Sequence, residues 1–511
     1  MLLAPLLFCL LAALLFGLCA MGSAAPAVWF VDSTTKVFRD DPPREATSAS
    51  LTAAANEVEA VQLVVRAGDE ALTGVDVRVS DLVSEAGARI GADRIEILRV
   101  AYVYLPAHDR DYPDPLPPWT PCDIPPGQNQ PVWLDIHVPS DAAPGLYRGT
   151  VTVRADGGLL GELPLQLTVW NFALPETPRS RAAFGVYTQG IETQHGVTAG
   201  SAAYDAILAR YYEMLVGHRA TPRDLQHGLE SPETEAYLND PRVNAFLIPY
   251  SDDDAELSAR VAYVRQKGWA DRGYFYVMDE PILQEHYDVL EQRAARIHAL
   301  GSDLKIVVPY FRDPAFEVEG GMQGLLTGVC GIWCPKVSFY DEAFLTQRQA
   351  LGEEVWWYVC WEPGAPYANL YVDMAGIDHR ALFWQQAHFD VEGFLYWTST
   401  YWDAGVGTAD PWTDMATVKN LSPTVYGDGS VLYPGAKVGV AGPVASIRLK
   451  LIREGLEDVE YLRLLEDREG RAAVREVTGQ VVQAVAAYSK DVGRYLALRD
   501  AVGRRLSVDP Q

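Results

Sequence analysis

The chain has 511 residues, of which 49% are hydrophobic and 22% charged, proportions that are ordinary for a folded globular protein. This length is too great for one hydrophobic core and predicts two or three domains. The net charge of −26, from 68 acidic and 42 basic residues, argues against a nucleic acid or an anionic membrane surface as the partner.

Residues 1–27 have the features of an export signal. The apolar run Leu6–Cys19 has the length of a signal-peptide core, and the following Ser23-Ala24-Ala25 fits a small-x-small cleavage site. No Lys or Arg precedes the run, and Leu2–Met21 is just long enough to span a membrane, so an uncleaved anchor stays open as the alternative. We therefore predict an exported protein (periplasmic, cell-surface or secreted) that contacts a membrane only if this segment is retained.

Residues 28–175 alternate apolar and polar positions in short runs separated by Gly, Pro and Asp, as in EAVQLVVRA and LYRGTVTVRA. This pattern predicts an N-terminal domain that is an antiparallel β-sandwich. The proline-containing stretch 174–181, LPETPRSR, is the predicted linker to the next domain.

Residues 180–467 change to strands that alternate with helices. The candidate strands are 182–187, 219–225, 244–250, 274–280, 304–311, 328–337, 354–361 and 391–399. Between them, Ala203–Val216, Ala255–Lys267, Ile282–Leu300 and Met374–His388 have the apolar spacing of amphipathic helices. Eight such strands predict a (β/α)8 TIM-like barrel. A doubly wound sheet is the alternative, but no Gly-rich phosphate loop follows the first strand.

A long irregular stretch, 402–444, follows the eighth strand, and loops of this length in a compact domain are usually functional. Residues 445–467 predict the amphipathic helix that closes the barrel, and 468–511 predict a C-terminal helical extension. Helices of a barrel lie far from its chemistry, so their charged residues predict a structural ion-pair network. These residues are His379, Arg380, Arg453, Glu454, Glu457, Asp458 and Glu460.

Four cysteines lie outside the signal segment, too few for a disulfide scaffold: Cys122, Cys330, Cys334 and Cys360. The apolar surroundings of Cys330 and Cys334 predict buried thiols, and no histidine has the spacing of a metal ligand. The sequence implies no metal and no organic cofactor.

The stretch YFYVMDEP, 274–281, is an apolar run that ends on two adjacent carboxylates, Asp279 and Glu280. In barrel enzymes the active site lies at the carboxyl ends of the strands, which is where this pair is predicted to be. The alternative is that the pair only caps the helix that begins at Pro281, since negative charge complements a helix N-terminus.

Adjacent carboxylates suit a substrate-assisted glycosidase, in which the substrate's own 2-acetamido oxygen attacks the anomeric carbon. One carboxylate then holds the amide N–H, while the other protonates the leaving oxygen and later deprotonates water. That acid must stay protonated near neutral pH, and an ionised neighbour raises its pKa.

Five stretches resemble the catalytic region of glycoside hydrolase family 123: MDEP, HRALFWQQ, GFLYWTSTYW, GDGSVLYPG and SIRLKLIREGLEDVEYLRLL. The resemblance covers residues 180–467, and the sandwich in type only. It implies a β-sandwich before a (β/α)8 barrel and a retaining β-N-acetylgalactosaminidase without a cofactor. It also implies that Asp279 orients the acetamido group, that Glu280 is the general acid/base, and that the partner is a glycan or glycoconjugate.

Aromatic residues at or near the predicted strand ends are candidates for stacking on the sugar, and for each of them core packing is the alternative. These strand-end residues are Tyr187, Tyr250, Tyr310, Trp361 and Trp397. Tyr276 and Tyr358 fall within strands and are candidates to hydrogen-bond the acetamido carbonyl, and Trp402 and Asp403 begin the long loop and are candidates to contact sugar hydroxyls. Two other functions fit the same residues: a glycosidase for a non-acetylated sugar, and a secreted glycan-binding protein without activity.

Overall fold

The computed structural model describes residues 24–312, 315, 318–402, 410–417, 422 and 424–508. The predicted signal segment lies almost wholly outside the described residues. No helix in the described ranges combines the length and the apolar composition needed to cross a bilayer. The four cysteines named above are all free, and Cys330 and Cys334 are buried as predicted.

The N-terminal region is rich in β-structure, as predicted, and its two main sheets share one apolar core. One sheet has the strand order β1-β3-β12-β7, and the other contains β11-β4-β13-β14-β2 with β5 and β6 at its side. The strands are β1 (Ala27–Asp32), β2 (Ala49–Ala55), β3 (Glu57–Arg66), β4 (Leu72–Val79), β5 (Leu82–Ser84), β6 (Arg89–Ile90), β7 (Ile95–Arg99), β8 (Tyr102–Leu105), β9 (Arg110–Pro113), β10 (Pro115–Leu116), β11 (Cys122–Ile124), β12 (Asn129–Val138), β13 (Gly145–Ala155) and β14 (Gly158–Ala173).

The following region is a nearly closed barrel of seven parallel strands in the order β15-β21-β20-β19-β18-β17-β16. The strands are β15 (Arg181–Phe184), β16 (Phe246–Leu247), β17 (Gly273–Phe275), β18 (Lys305–Tyr310), β19 (Ile332–Pro335), β20 (Glu354–Val359) and β21 (Gly393–Tyr396). The helices between and around them are α1 (Gln189–His195), α2 (Ala202–Gly217), α3 (Pro232–Leu238), α4 (Asp254–Gln266), α5 (Gln284–His298), α6 (Met322–Leu326), α7 (Glu342–Ala350) and α8 (Gly376–His388).

The prediction of a strand at 219–225 is wrong, because these residues form an irregular segment. This segment still bonds to both neighbouring strands: Phe184 N–H donates to Thr221 O at 2.9 Å, and Leu247 N–H donates to Arg223 O at 2.9 Å. Pro222 has no N–H to donate, and Arg219 has a left-handed φ of 60°. Both features interrupt a regular ladder.

Side chains alternate between the barrel interior and the surrounding helices, as the period of two in a strand requires. The interior cluster contains Tyr274, Cys334, Trp356 and Tyr358. Gly393 on the neighbouring strand makes room for Trp356, since a Cβ there would lie 2.6 Å from the indole. The barrel is therefore filled by side chains, and its open end is the place for chemistry.

The chain after the barrel consists of β22 (Leu432–Pro434), β23 (Pro443–Ser446), α9 (Ile447–Glu469), α10 (Arg471–Thr478), β24 (Val482–Ala484), β25 (Ala487–Tyr488) and α11 (Val492–Ser507). The C-terminal extension is not wholly helical as predicted, because the β24–β25 hairpin separates its helices. Helix α9 lies between α8 and the sandwich, where Arg453 donates to Asp135 of β12 at 2.9 and 3.0 Å.

The α9 residues of the predicted ion-pair network are buried and form ion pairs: Arg453, Glu454, Glu457, Asp458 and Glu460. Arg380 of α8 donates to Glu454 at 2.8 Å and to both oxygens of Asp458 at 2.5 and 2.8 Å. Arg499 of α11 also contacts Asp458, at 3.0 Å, and bonds to Glu57 of β3. The network thus joins the sandwich, the barrel and the C-terminal helix.

Replacing Arg499 with Met is expected to destabilise the protein by about 3–5 kcal/mol, because it leaves the buried Glu57 carboxylate without its cation and removes one of the two arginines that pair with Asp458. Arg505→Met on the same helix is the control, since Arg505 pairs with Glu469 at the surface, where a salt bridge contributes about 0–1 kcal/mol. Thermal midpoints of the two variants measure the difference. Equal midpoints would contradict a structural role for the network.

Candidate active site

The adjacent carboxylates Asp279 and Glu280 lie just beyond the end of β17, in an irregular segment that begins at Tyr276. Neighbouring side chains of a regular strand point to opposite faces. Here Glu280 has a φ of 41°, in the left-handed region that costs free energy for a non-glycine residue. This turn reorients the backbone between the two residues, so that both side chains bond to tyrosines of the barrel interior.

Asp279 is exposed and is held by one tyrosine. The Tyr276 hydroxyl donates to Asp279 Oδ1 at 2.6 Å. The guanidinium of Arg223 lies 4.9 Å from the centre of the Tyr276 ring. Burial, followed by the Asp279 charge, raises the pKa of Tyr276, so its hydroxyl stays a proton donor.

Glu280 is half-buried and accepts a hydrogen bond from the Tyr358 hydroxyl at Oε1. Burial, the largest cause, and the charge of Asp279 raise the pKa of Glu280 above its ordinary value. The Tyr358 hydrogen bond and the Lys336 charge act in the opposite direction, because they stabilise the ionised form. The environment therefore favours the protonated acid beside an ionised neighbour.

The two carboxylates share one environment at the open end of the barrel. The thiol of Cys334 faces the barrel interior, and its pKa is raised by burial and then by the charges of Asp279 and Glu280. Lys336, only 4% exposed, bonds through Nζ to Glu362 Oε2 at 3.1 Å.

An aromatic cluster adjoins this pair. The ring centres of Tyr187 and Trp397 are 5.7 Å apart, and those of Trp397 and Tyr401 are 4.8 Å apart. Tyr187 is 40% exposed, and the charge of Asp279 contributes to raising its pKa, after burial. The cluster gives the mouth an apolar wall on the side of Asp279.

A buried aspartate fixes that wall. The indole N–H of Trp397 donates to Asp428 Oδ1 at 3.1 Å, in the loop after β21. Burial raises the pKa of Asp428 to about 7, although hydrogen bonds from Trp397 and Tyr396 lower it. Gly429 has a φ of 69° and lies against Trp397, where a Cβ would come within 2.4 Å of the indole. A larger residue would displace the loop or the ring.

Of the nine candidate substrate-binding residues, four lie at the mouth with the carboxylates: Tyr187, Tyr276, Tyr358 and Trp397. Trp361 is half-buried, two residues after β20. Asp403 lies outside the described residues.

The other three candidates contact other parts of the protein rather than the carboxylate pair. Tyr310, 1% exposed, faces away from the barrel interior and packs on Trp333, because the alternation of β18 directs it outward. Trp402, 2% exposed, donates to Ser430 Oγ at 3.0 Å inside the core. Tyr250 bonds to Asp252 and Arg296 near the surface. The buried positions of Tyr310 and Trp402 correct their assignment as sugar-contacting residues.

Three residues at the mouth were missed from the sequence: Arg223, Lys336 and Asp428. Arg223 lies in the stretch 219–225 and Lys336 in the run 328–337, both predicted as strands that end at the mouth. Asp428 lies in the GDGSVLYPG motif. Their positions at predicted strand ends or in the long loop could have identified them as candidates from the sequence.

Among the described residues, one group has the geometry of metal ligands: Glu96, Asp135 and His137. Asp135 already contacts Lys450 Nζ at 2.7 Å and Arg453 at 2.9 Å. Two buried cations occupy the place where a metal ion would bind, so the group does not fit a metal site.

Two family models match the chain. The glycoside hydrolase 123 catalytic domain matches residues 254–465, and the glycoside hydrolase 123 N-terminal domain matches residues 30–155. Together they cover about two thirds of the sequence. The family predicted from the sequence motifs is therefore confirmed.

Among solved structures, a family 123 glycoside hydrolase from Clostridium perfringens, described for glycolipid glycan hydrolysis, aligns with a TM-score of 0.71. The identity is 14%, and the alignment covers 94% of this chain and 97% of that one, so the likeness shows the fold. A β-D-glucuronidase from Dictyoglomus thermophilum aligns with a TM-score of only 0.32 at 9% identity, over 79% of this chain and 67% of that one. This score is too low to indicate a shared fold. None of the curated proteins matches the chain in sequence.

Proposed function

The chain belongs to glycoside hydrolase family 123 and is a glycoside hydrolase, and from this premise we propose that it releases terminal β-linked N-acetylgalactosamine from glycans or glycoconjugates with retention of configuration. The observation that carries the proposal is the turn at Glu280, which lets Asp279 and Glu280 bond to interior tyrosines at one barrel mouth. Such a pair supplies both groups that substrate assistance needs.

In the first step, the acetamido oxygen attacks the anomeric carbon and forms a cyclic oxazolinium ion. Asp279, oriented by Tyr276, accepts a hydrogen bond from the amide N–H and stabilises its growing positive charge. Glu280 donates its proton to the glycosidic oxygen as the bond to the anomeric carbon breaks. The sugar now remains cyclised, and the aglycone leaves as an alcohol.

In the second step, a water molecule enters from the side that the aglycone left. The Glu280 carboxylate takes its proton while the oxygen attacks the anomeric carbon and opens the ring. Two inversions at this carbon give the β-configured product and regenerate protonated Glu280 and the acetamide.

Replacing Tyr358 with Phe is expected to move the alkaline limb of the kcat/KM profile to higher pH. The Tyr358 hydrogen bond lowers the pKa of Glu280, so its removal raises that pKa further and keeps the acid protonated over a wider range. Lys336→Met is expected to shift the limb in the same direction, since its charge also lowers this pKa. A limb that stays in place, or moves to lower pH, would show that another group controls it.

The substrate assignment is tested with two aryl glycosides that differ only in the 2-substituent, β-N-acetylgalactosaminide and β-galactoside. Without an acetamido group there is no internal nucleophile, so we expect hydrolysis of the first compound only. Proton NMR of the product formed first should show the β-anomer. Hydrolysis of the galactoside at a comparable rate, or an α-anomer, would refute the proposal.

We also propose that the protein is exported, on the apolar run and small-residue site within residues 1–27. Cell fractionation with mass measurement of the N-terminus tests this. Activity in the cytoplasmic fraction with an intact N-terminus would contradict it.

A further inference from the structure

A cavity of about 320 Å³ lies between the sandwich and the barrel. Its volume is near the lower limit of ligand pockets, about 300–1,000 Å³, which suits one sugar ring better than a chain of them. Helices α2 and α9 and the chain around β23 form one side of the lining. The sandwich forms the other side with Glu96, Leu98, Leu116, Pro118 and His137.

This cavity is at the end of the barrel opposite to the carboxylate pair. Gly217 ends α2 and His218 follows it, and both residues line the cavity. The chain then enters the irregular segment 219–225, which runs parallel to β15 and carries Arg223 to the Tyr276 ring at the mouth. A ligand in the cavity is therefore separate from a sugar bound at Asp279 and Glu280.

His218 places an unused hydrogen-bond acceptor in the lining. The residue is only 8% exposed, and its Nδ1 lies 2.6 Å from Met214 O, to which it must donate. Burial, the largest cause, and the charges of Lys450 and Arg453 lower the pKa of His218 well below its ordinary value, so the ring is neutral. Its Nε2 then has no proton, and it has no hydrogen-bond partner among the described residues.

Two buried cations beside His218 supply donors to the same cavity. The Lys450 ammonium has three N–H groups and contacts two carboxylates, Asp135 at 2.7 Å and Glu96 at 3.2 Å. Arg453 Nε has no hydrogen-bond partner in the described part of the chain, since Glu457 Oε2 lies 3.7 Å away. Buried polar atoms without a partner cost free energy, which a ligand that bonds to them recovers.

We propose that this cavity binds a neutral sugar ring, as a second glycan-binding site of the enzyme. A hydroxyl both donates and accepts, so neighbouring hydroxyls of one ring can donate to His218 Nε2 and accept from Arg453 or Lys450. The C–H face of the ring packs on the apolar part of the lining, which consists of Leu98, Leu116, Met214, Pro443 and Val444.

The charges of the site favour a neutral ligand. Lys450 and Arg453 are paired with Asp135 and Glu96, and Glu213 at the rim is paired with Arg242. A charged ligand would bring an uncompensated charge into this balanced set, which is costly in a buried place.

This inference goes beyond the proposed function, because it concerns any glycan and no chemical step. The two sites face opposite ends of the barrel, so the cavity binds a different glycan chain from the one under hydrolysis. On a carrier with many chains, such a second contact raises the effective concentration of the enzyme at its substrate.

The methyl group of Met214 provides a reporter for this cavity alone. Full-length protein labelled with [13C-methyl]methionine is titrated with galactose, and the Met214 resonance is assigned through Met214→Leu. We expect the resonance to shift in a saturable way with wild-type protein. Galacturonate and galactosamine, which add a negative and a positive charge to the same ring, should bind at least about tenfold more weakly.

Gly217→Trp is expected to raise the dissociation constant for galactose at least about tenfold. A Cβ at Gly217 meets no atom within 4 Å, so the indole should occupy the cavity without disturbing α2. Gly228→Trp is the matched control, since Gly228 is exposed before α3 and a Cβ there also meets no atom within 4 Å. It should keep the wild-type dissociation constant.

His218→Asn is the second variant and should weaken galactose binding by a similar factor. Asparagine keeps an N–H group near the position of Nδ1 for Met214 O and has nothing in the place of Nε2. Thermal midpoints of all variants are measured beside the titrations to show that they are folded.

A Met214 resonance that galactose does not move, binding that survives in Gly217→Trp, or tighter binding of either charged sugar would overturn this site. Each of these results leaves the proposed function standing, since that function is tested by hydrolysis of the two aryl glycosides.

Discussion

Glu280→Gln is expected to lower kcat/KM for alkyl glycosides and disaccharides by about 10³-fold, within the range of about 10²–10⁴ that general acid–base catalysis contributes. Glutamine keeps the size and the capacity to accept a hydrogen bond from Tyr358, but it has no proton to give to the glycosidic oxygen. Aryl glycosides with acidic phenols should lose much less, because their leaving groups need little protonation. Steady-state rates over a series of phenols measure this dependence.

Glu285→Gln is the matched control for this variant. Glu285 is an exposed acid five residues further on, in the first turn of α5. It should keep wild-type rates on every substrate. If Glu280→Gln lost activity equally on good and poor leaving groups, Glu280 would not be the acid.

Asp279→Asn is expected to lower kcat by about 10²–10³-fold on all substrates, including those with good leaving groups. Loss of one preorganised electrostatic group from other active sites lowers kcat by about the same factor. Asparagine can still accept a hydrogen bond from the acetamide, but it has no charge to stabilise the oxazolinium ion. The loss should therefore not depend on the leaving group. This independence distinguishes Asp279 from Glu280.

Asp271→Asn is the control for Asp279. Asp271 is exposed at the opposite end of β17, just before the strand begins. Both variants should unfold at the wild-type thermal midpoint, since Asp271 and Asp279 are exposed and the Asp279 carboxylate accepts a hydrogen bond from Tyr276 that asparagine can also accept. Activity of Asp279→Asn within a few-fold of wild type would contradict its role.

Local patterns predicted most of the fold. The alternation of apolar residues indicated the β-rich N-terminal region, and α2, α4, α5 and α8 each begin and end within about two residues of the predicted bounds. The irregular segment at Thr221–Arg223 could not be found in this way. Its place in the barrel depends on backbone bonds to β15 and β16, which are distant in sequence.

The candidate catalytic pair could be singled out from the sequence because both residues are adjacent and end an apolar run. The orientation of both side chains toward one barrel mouth was not predicted. It depends on a left-handed φ at Glu280, and the sequence has no glycine at this position that would have indicated such a turn. Tyr310 was misassigned because its position at a strand end is visible in the sequence, whereas the direction of its side chain is fixed by the register of β18. Asp428 reaches Trp397 only through the folding of a long loop.

The inhibition constant of the N-acetylgalactosamine-derived thiazoline, a stable analogue of the cyclised intermediate, tests substrate assistance most directly. We expect competitive inhibition with an affinity at least about 10²-fold higher than that of N-acetylgalactosamine, as for transition-state analogues. Binding no tighter than the free sugar would contradict the roles of Asp279 and Glu280.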